Sequence, residues 1–130
     1  MLKQIIFATG LAVAASPAVA FDIGFDWAGL KSCTNGSPNT VANPAFVLTD
    51  VPEGTKFIRF KLVDLNFPAF AHGGGTVAYS GQPVIEPGAF KYKSPCPPGS
   101  QHKYQWTATA QSKKSGGKLG TAKVVRMYPE

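Results

Sequence analysis

Cysteine is nearly absent from this chain of 130 residues: there are two, Cys33 and Cys96, and no C-x-x-C pair. That excludes a dithiol redox motif and leaves two isolated thiols as poor metal ligands. Beyond the first twenty residues no apolar run approaches the roughly 20 residues that a bilayer crossing requires. No window there keeps a helical period, so helices are not expected to carry the fold. The G-x-S-x-G elbow of α/β-hydrolases is also missing, which removes the usual nucleophile for ester chemistry.

What is present begins with a leader. Met1-Leu2-Lys3 supplies one positive charge, Ile5 to Ala15 is apolar, and Ala18-Val19-Ala20 is a small-residue A-x-A ending. This pattern predicts a secretory signal peptide over 1–20, cleaved after Ala20, with no transmembrane anchor left behind. Residues 21–130 then form a single domain in the periplasm or outside the cell, large enough to own a core. Loss of Lys3 lowers the formal charge from +6 to +5. The remaining lysines are scattered and read as a solvated surface, so no nucleic-acid partner is expected. In an oxidising compartment the cysteine pair reads as one disulfide, Cys33–Cys96, worth about 4 kcal/mol on the chain-entropy model.

Short alternating runs separated by Gly/Pro turns argue for an all-β fold. Strands are expected over Phe21 to Leu30, Phe46 to Leu48, Lys56 to Leu65, Thr76 to Ser80, around Phe90 and Tyr92, from His102 onward, and over Lys123 to Tyr128. Gln111 to Gly120, rich in lysine, serine and glycine, reads as a mobile hairpin tip. In the strand after His102 the period of two puts His102, Tyr104 and Trp106 on one face. Asp64 ends the core-facing row Ile58, Phe60, Leu62, where a carboxylate requires hydrogen-bond donors.

Asp64, His72, His102 and Tyr104 therefore stand out as polar groups at strand ends. Together they would supply an acceptor, two imidazoles and a phenol, a set suited to an oxyanion. His72-Gly73-Gly74-Gly75 looks like the oxyanion-hole motif of lipases, but it lacks its elbow. His72, His102 and Asp64 match a two-histidine, one-carboxylate metal set by type, without local spacing to support it, so no metal or other cofactor is expected.

With these residues laid out, the chain resembles the phosphatidylethanolamine-binding protein family, also called Raf kinase inhibitor-like proteins, in its bacterial exported branch. The resemblance rests on Asn43-Pro44-Ala45-Phe46, Asp50-Val51-Pro52-Glu53-Gly54, Asp64-Leu65-Asn66-Phe67-Pro68, His72, and Ser94-Pro95-Cys96-Pro97-Pro98-Gly99 followed by His102-Lys103-Tyr104. It implies a β-sandwich in short form, lacking the family's helical insert, with a small anion pocket at one end of the larger sheet. Carried over by motif, Asp64, His72, Ser94, Pro95, His102 and Tyr104 would line that pocket. Asn66, Gly73 and Ser94 depart from the family pattern, and the missing helical segment together with the missing aromatic residue at Gly73 implies a more open site.

The expected function is non-enzymatic binding of a small anion: phosphate, a phosphoethanolamine-like phospholipid head group, or a carboxylate. The alternative is an interaction protein that inhibits a protease or modulates another protein partner through its surface.

Overall fold

The computed structural model describes residues 10, 20–31, 33 and 36–130. Apart from Gly10 and Ala20, the expected signal peptide lies outside the described residues. The described residues form nine strands in order: β1 Asp22–Gly24, β2 Thr40–Ala42, β3 Phe46–Thr49, β4 Phe57–Asp64, β5 Gly74–Ala78, β6 Val84–Ile85, β7 Lys91–Lys93, β8 His102–Lys113 and β9 Gly116–Tyr128. Every pairing is antiparallel. A four-stranded sheet, β5-β4-β8-β9, faces a three-stranded sheet, β1-β3-β6, and a two-stranded ribbon, β2-β7. The described residues contain no helix, and so none long and apolar enough to cross a membrane. The all-β sandwich without a helical insert is the expected architecture.

Alternation produces the larger sheet. Ile58, Phe60 and Leu62 are buried while Arg59 and Lys61 between them are exposed. Tyr104, Trp106, Ala108 and Ala110 form the matching inward row on β8. Opposite them, Phe46 of β3 stacks on Phe60 at 4.5 Å and meets Trp106 edge-on at 5.1 Å between ring centroids. Burying each such side chain contributes about 1.5–3 kcal/mol, which is what holds the layers face to face. The alanines of β8 leave the room into which the rings fit.

Several strand bounds differ from the sequence expectation. The first strand is three residues long rather than spanning Phe21 to Leu30, because the chain turns at Ala28 and Gly29. Both have positive φ, 52° and 70°, and the Asp26 carboxylate accepts the Ala28 amide at 2.7 Å. The supposed mobile tip, Gln111 to Gly120, is mostly ladder: β8 and β9 pair out to Lys113 and Gly116, with a bulge after Ala110. Backbone hydrogen bonding between two arms of one hairpin does not require apolar side chains, so polar composition misleads there. β2 and β6, three and two residues long, were too short to register as alternation at all. β5 begins at Gly74, two residues earlier than expected.

Candidate functional site

Three candidate residues meet at one end of the β4–β8 ladder. Asp64 pairs directly with Tyr104, so His102, two residues earlier on β8, is its diagonal neighbour on the same face. The reach is short enough for a bond: His102 Nδ1 lies 2.7 Å from Asp64 Oδ2. The other carboxylate oxygen accepts the backbone amides of Asn66 and Phe67 at 2.9 and 3.1 Å. Those donors come from the turn that ends β4, and they answer the burial problem that the sequence posed. The Asp64 side chain is 6% exposed and its His102 partner 16%, so the pair is sheltered but reachable.

His72 arrives from the loop before β5. Its Nδ1–H donates to the Lys93 carbonyl at 2.7 Å, while its own carbonyl accepts the Lys93 amide at 2.8 Å. This double tie to the end of β7 fixes the ring, and Phe70 packs edge-on against it at 4.7 Å. Tyr104 meets the same ring edge-on at 5.6 Å. Since Nδ1 is committed in both histidines, Nε2 is the nitrogen each leaves for a ligand.

These four side chains share a cavity of about 490 Å³. With Ser37 and Asn66, Asp64, His72, His102 and Tyr104 are its polar part; Phe67, Phe70, Pro38 and Pro98 form much of the apolar remainder. The two phenylalanines were visible in the sequence as a loop with two aromatics, but nothing local tied them to the site. They supply aromatic wall from the stretch before His72, where Gly73 after it has none to give. Gly36 to Pro38 were missed as lining, because they are brought to the cavity by ties remote in sequence: Cys33–Cys96, whose Cα atoms lie 5.6 Å apart across 63 residues of sequence, and the hydrogen bonds between Asn39 and Ser94. The expected disulfide is formed, and it joins two walls of the cavity.

Ser94 and Pro95, carried over by motif, stand behind the wall rather than in it. Ser94 is 3% exposed, and its hydroxyl accepts the Asn39 amide at 3.0 Å while its own amide donates to the Asn39 carbonyl at 2.8 Å. Pro95 is fully buried. Both position the loop; Cys96 and Pro98 are the members of that loop that face the cavity.

The electrostatics follow from these contacts. Burial alone would raise the Asp64 carboxyl, but the His102 bond and the two amides outweigh it and hold the pKa below its ordinary value. Burial pushes His72 down, against the Lys93 carbonyl and the Asp64 charge, which favour its proton. The Tyr104 phenol is pushed far up, first by burial and then by the Asp64 charge beside it. Near neutral pH the cavity thus holds an ionised carboxylate, a neutral His72 and a neutral phenol. Asp64, His72 and His102 are not assembled as a ligand set for an ion, nor is any other such group among the described residues.

The glycines after His72 serve packing. A Cβ on Gly74 would overlap the Phe60 carbonyl, and one on Gly75 would sit 2.6 Å from Phe90 Cβ. Gly74 and Gly75 pair with Lys61 and Phe60 as part of β5.

No protein-family model and no curated protein sequence matches this chain. Solved structures do. A homologue of the phosphatidylethanolamine-binding proteins from Chlamydia trachomatis aligns with a TM-score of 0.55 at 15% identity, over 87% of this chain and 99% of that one. YbcL of Escherichia coli, described as a new member of the mammalian family, aligns with a TM-score of 0.55 at 18% identity, over 83% and 97%. At these identities the likeness is one of fold, and the fold is the one that the ordered sequence motifs implied.

Proposed function

From a fold shared with phosphatidylethanolamine-binding protein homologues, we propose an exported, non-enzymatic binding protein whose cavity takes a small oxyanion. Phosphate, a phosphoethanolamine-like head group and a carboxylate share the chemistry required. The observation that carries the reading is the 2.7 Å contact between His102 and Asp64 inside the cavity. With Nδ1 held by the carboxylate, His102 leaves Nε2 for the ligand, and an N–H there would donate to an anion. His72 adds a protonation switch: its Nε2 accepts when neutral and donates when protonated. An anion therefore enters with proton uptake, and binding tightens in mild acid. In a zwitterionic head group the ammonium would meet Asp64. Export rests on the leader pattern and on the cysteine pairing.

Calorimetric titration of the full chain with phosphoethanolamine, at about pH 6 and about pH 8, tests the reading. Binding tighter at the lower pH and lost in His102→Ala is the expected result. No heat at millimolar ligand at either pH, or heat unchanged in the variant, would sink it. Turnover of an ester panel that disappears with His102→Ala would overturn the non-enzymatic part. A protein partner retained after both histidines are replaced would move the activity from cavity to surface, the rival reading.

A further inference from the structure

The register of the larger sheet collects cations that the sequence scatters. Thr76, Arg59, Thr109 and Thr121 lie in one row across β5, β4, β8 and β9, and Gly74, Lys61, Thr107 and Lys123 in the next. These side chains alternate with the buried rows, so they share the outer face of the sheet. Two rows further toward the site, Lys103 lies beside Met127 on the same face. Arg59, Lys61, Lys103 and Lys123 are exposed, no carboxylate occupies any of these rows, and none of the four forms an ion pair among the described residues. Because Gly74 carries no side chain, its position in the outer row is bare. A depression of about 260 Å³ opens beside Arg59, Lys61 and Thr76.

We infer that this face is a docking surface for an acidic polysaccharide, with one of its carboxylate or sulfate groups seated between Arg59 and Lys61 over the glycine gap. Charge complementarity selects a polyanion, since the cations are spread rather than convergent. Residues two apart on a strand are separated by about 7 Å, and β4 and β9 by about 10 Å, so the charges suit repeated anionic groups along a chain. The two rows that hold Arg59 and Lys61 contain only cations, threonine hydroxyls and a glycine, while the next row toward Lys103, Val63, Gln105 and Val125, is apolar at both ends with Val125 exposed. At the seat between Arg59 and Lys61 the polar composition argues against the other polyanions. A protein interface requires an apolar or aromatic centre, single-stranded nucleic acid uses aromatic stacking platforms, and docking into a membrane interface uses an apolar face that enters the acyl boundary. A hydroxyl-rich anionic chain matches both the charges and the threonines. The oxyanion cavity lies at the end of the sheet and takes no part, so this proposal stands or falls apart from the previous one.

The experiment uses the full chain and dextran sulfate, with neutral dextran as the control, in low-salt buffer by biolayer interferometry. Binding to the sulfated polymer alone is expected, weakening on the order of tenfold in Arg59→Ser/Lys61→Ser and falling with added salt. Lys113→Ser/Lys114→Ser removes the same charge at the hairpin tip and should leave affinity within about twofold if position rather than net charge decides. His102→Ala should also leave it unchanged. No binding to dextran sulfate, equal loss in the face and tip variants, or equal affinity for polyglutamate or for anionic vesicles would overturn the assignment. Circular dichroism of each variant separates lost binding from lost folding; if the serine pair unfolds, Arg59→Gln/Lys61→Gln is measured in its place against the same criteria.

Discussion

Asp64 and His102, 38 residues apart in the chain, hold each other at 2.7 Å because antiparallel pairing makes them diagonal neighbours on one face of the β4–β8 ladder. The carboxylate accepts from His102 and from two backbone amides at once, while the imidazole spends one nitrogen and keeps the other. Structural support and ligand chemistry therefore share a single contact.

Asp64→Asn should separate the two roles. The amide oxygen can still accept from Asn66 and Phe67, but the negative charge facing His102 is gone. A loss of about 1–3 kcal/mol is expected in urea unfolding near neutral pH. The wild-type Asp64 pKa is depressed from 3.8, so its stabilisation is complete above that value and is lost as pH falls through the lower, folded value. Unfolding curves of the variant should lack this acid limb; an unchanged limb would assign it to another group.

His72 adds an earlier acid response with the same sign. Its folded pKa lies below 6.5, so the unfolded chain binds the proton first, and stability declines as pH falls below about 6.5. His72→Asn, which can keep a donor for the Lys93 carbonyl, should flatten that decline while leaving the fold intact. Urea midpoints at half-unit pH steps would display it. Where a bound oxyanion requires the protonated ring, titrations in two buffers of different ionisation heat should reveal proton uptake in the wild type and less of it in the variant.

Gly75→Ala should destabilise by about 1–3 kcal/mol through the clash with Phe90, and Gly74→Ala through its overlap with the Phe60 carbonyl. Thermal unfolding measures both. Stability equal to wild type in both variants would contradict the close packing of β5 on β4 and revive a purely functional reading of the triple glycine.

Reduction of Cys33–Cys96 should lower stability by about 4 kcal/mol on the chain-entropy model and weaken phosphoethanolamine binding by more than the stability change explains. The bridge holds Gly36 to Pro38 against the loop that carries Cys96 and Pro98, so the cavity should loosen before the sandwich unfolds. Hydrogen exchange of the reduced protein, read at residues 36–39 and 94–98, checks the order of events. Intact-mass analysis after alkylation should find no free thiol in the unreduced protein.

Much of the site was legible because strand alternation is local. A period of two is enough to place His102, Tyr104 and Trp106 on one face and Asp64 with Phe60 and Leu62 on its own, and both faces proved to be the same interior surface. The roles of Ser94 and Pro95 were not legible. Whether a loop residue faces a cavity or backs it depends on its contact with Asn39, 55 residues away, and no local pattern encodes that. Composition misled at the β8–β9 tip for a related reason, since lysine, serine and glycine describe solvent exposure and leave the ladder unstated.

By itself the sequence determined an all-β chain, its inward rows, its cysteine pair and the polar residues that mark the cavity. These follow from short-range rules: side-chain alternation, turn chemistry, and the cost of burying a carboxylate without donors. Tertiary structure alone decided how strands align across the sheet. It set Asp64 diagonal to His102, drew Gly36 to Pro38 into the wall, and gathered Arg59, Lys61, Lys103 and Lys123 on one face. Register is the physical reason: shifting one strand by two residues would keep every side chain on its own face and still give each a different neighbour.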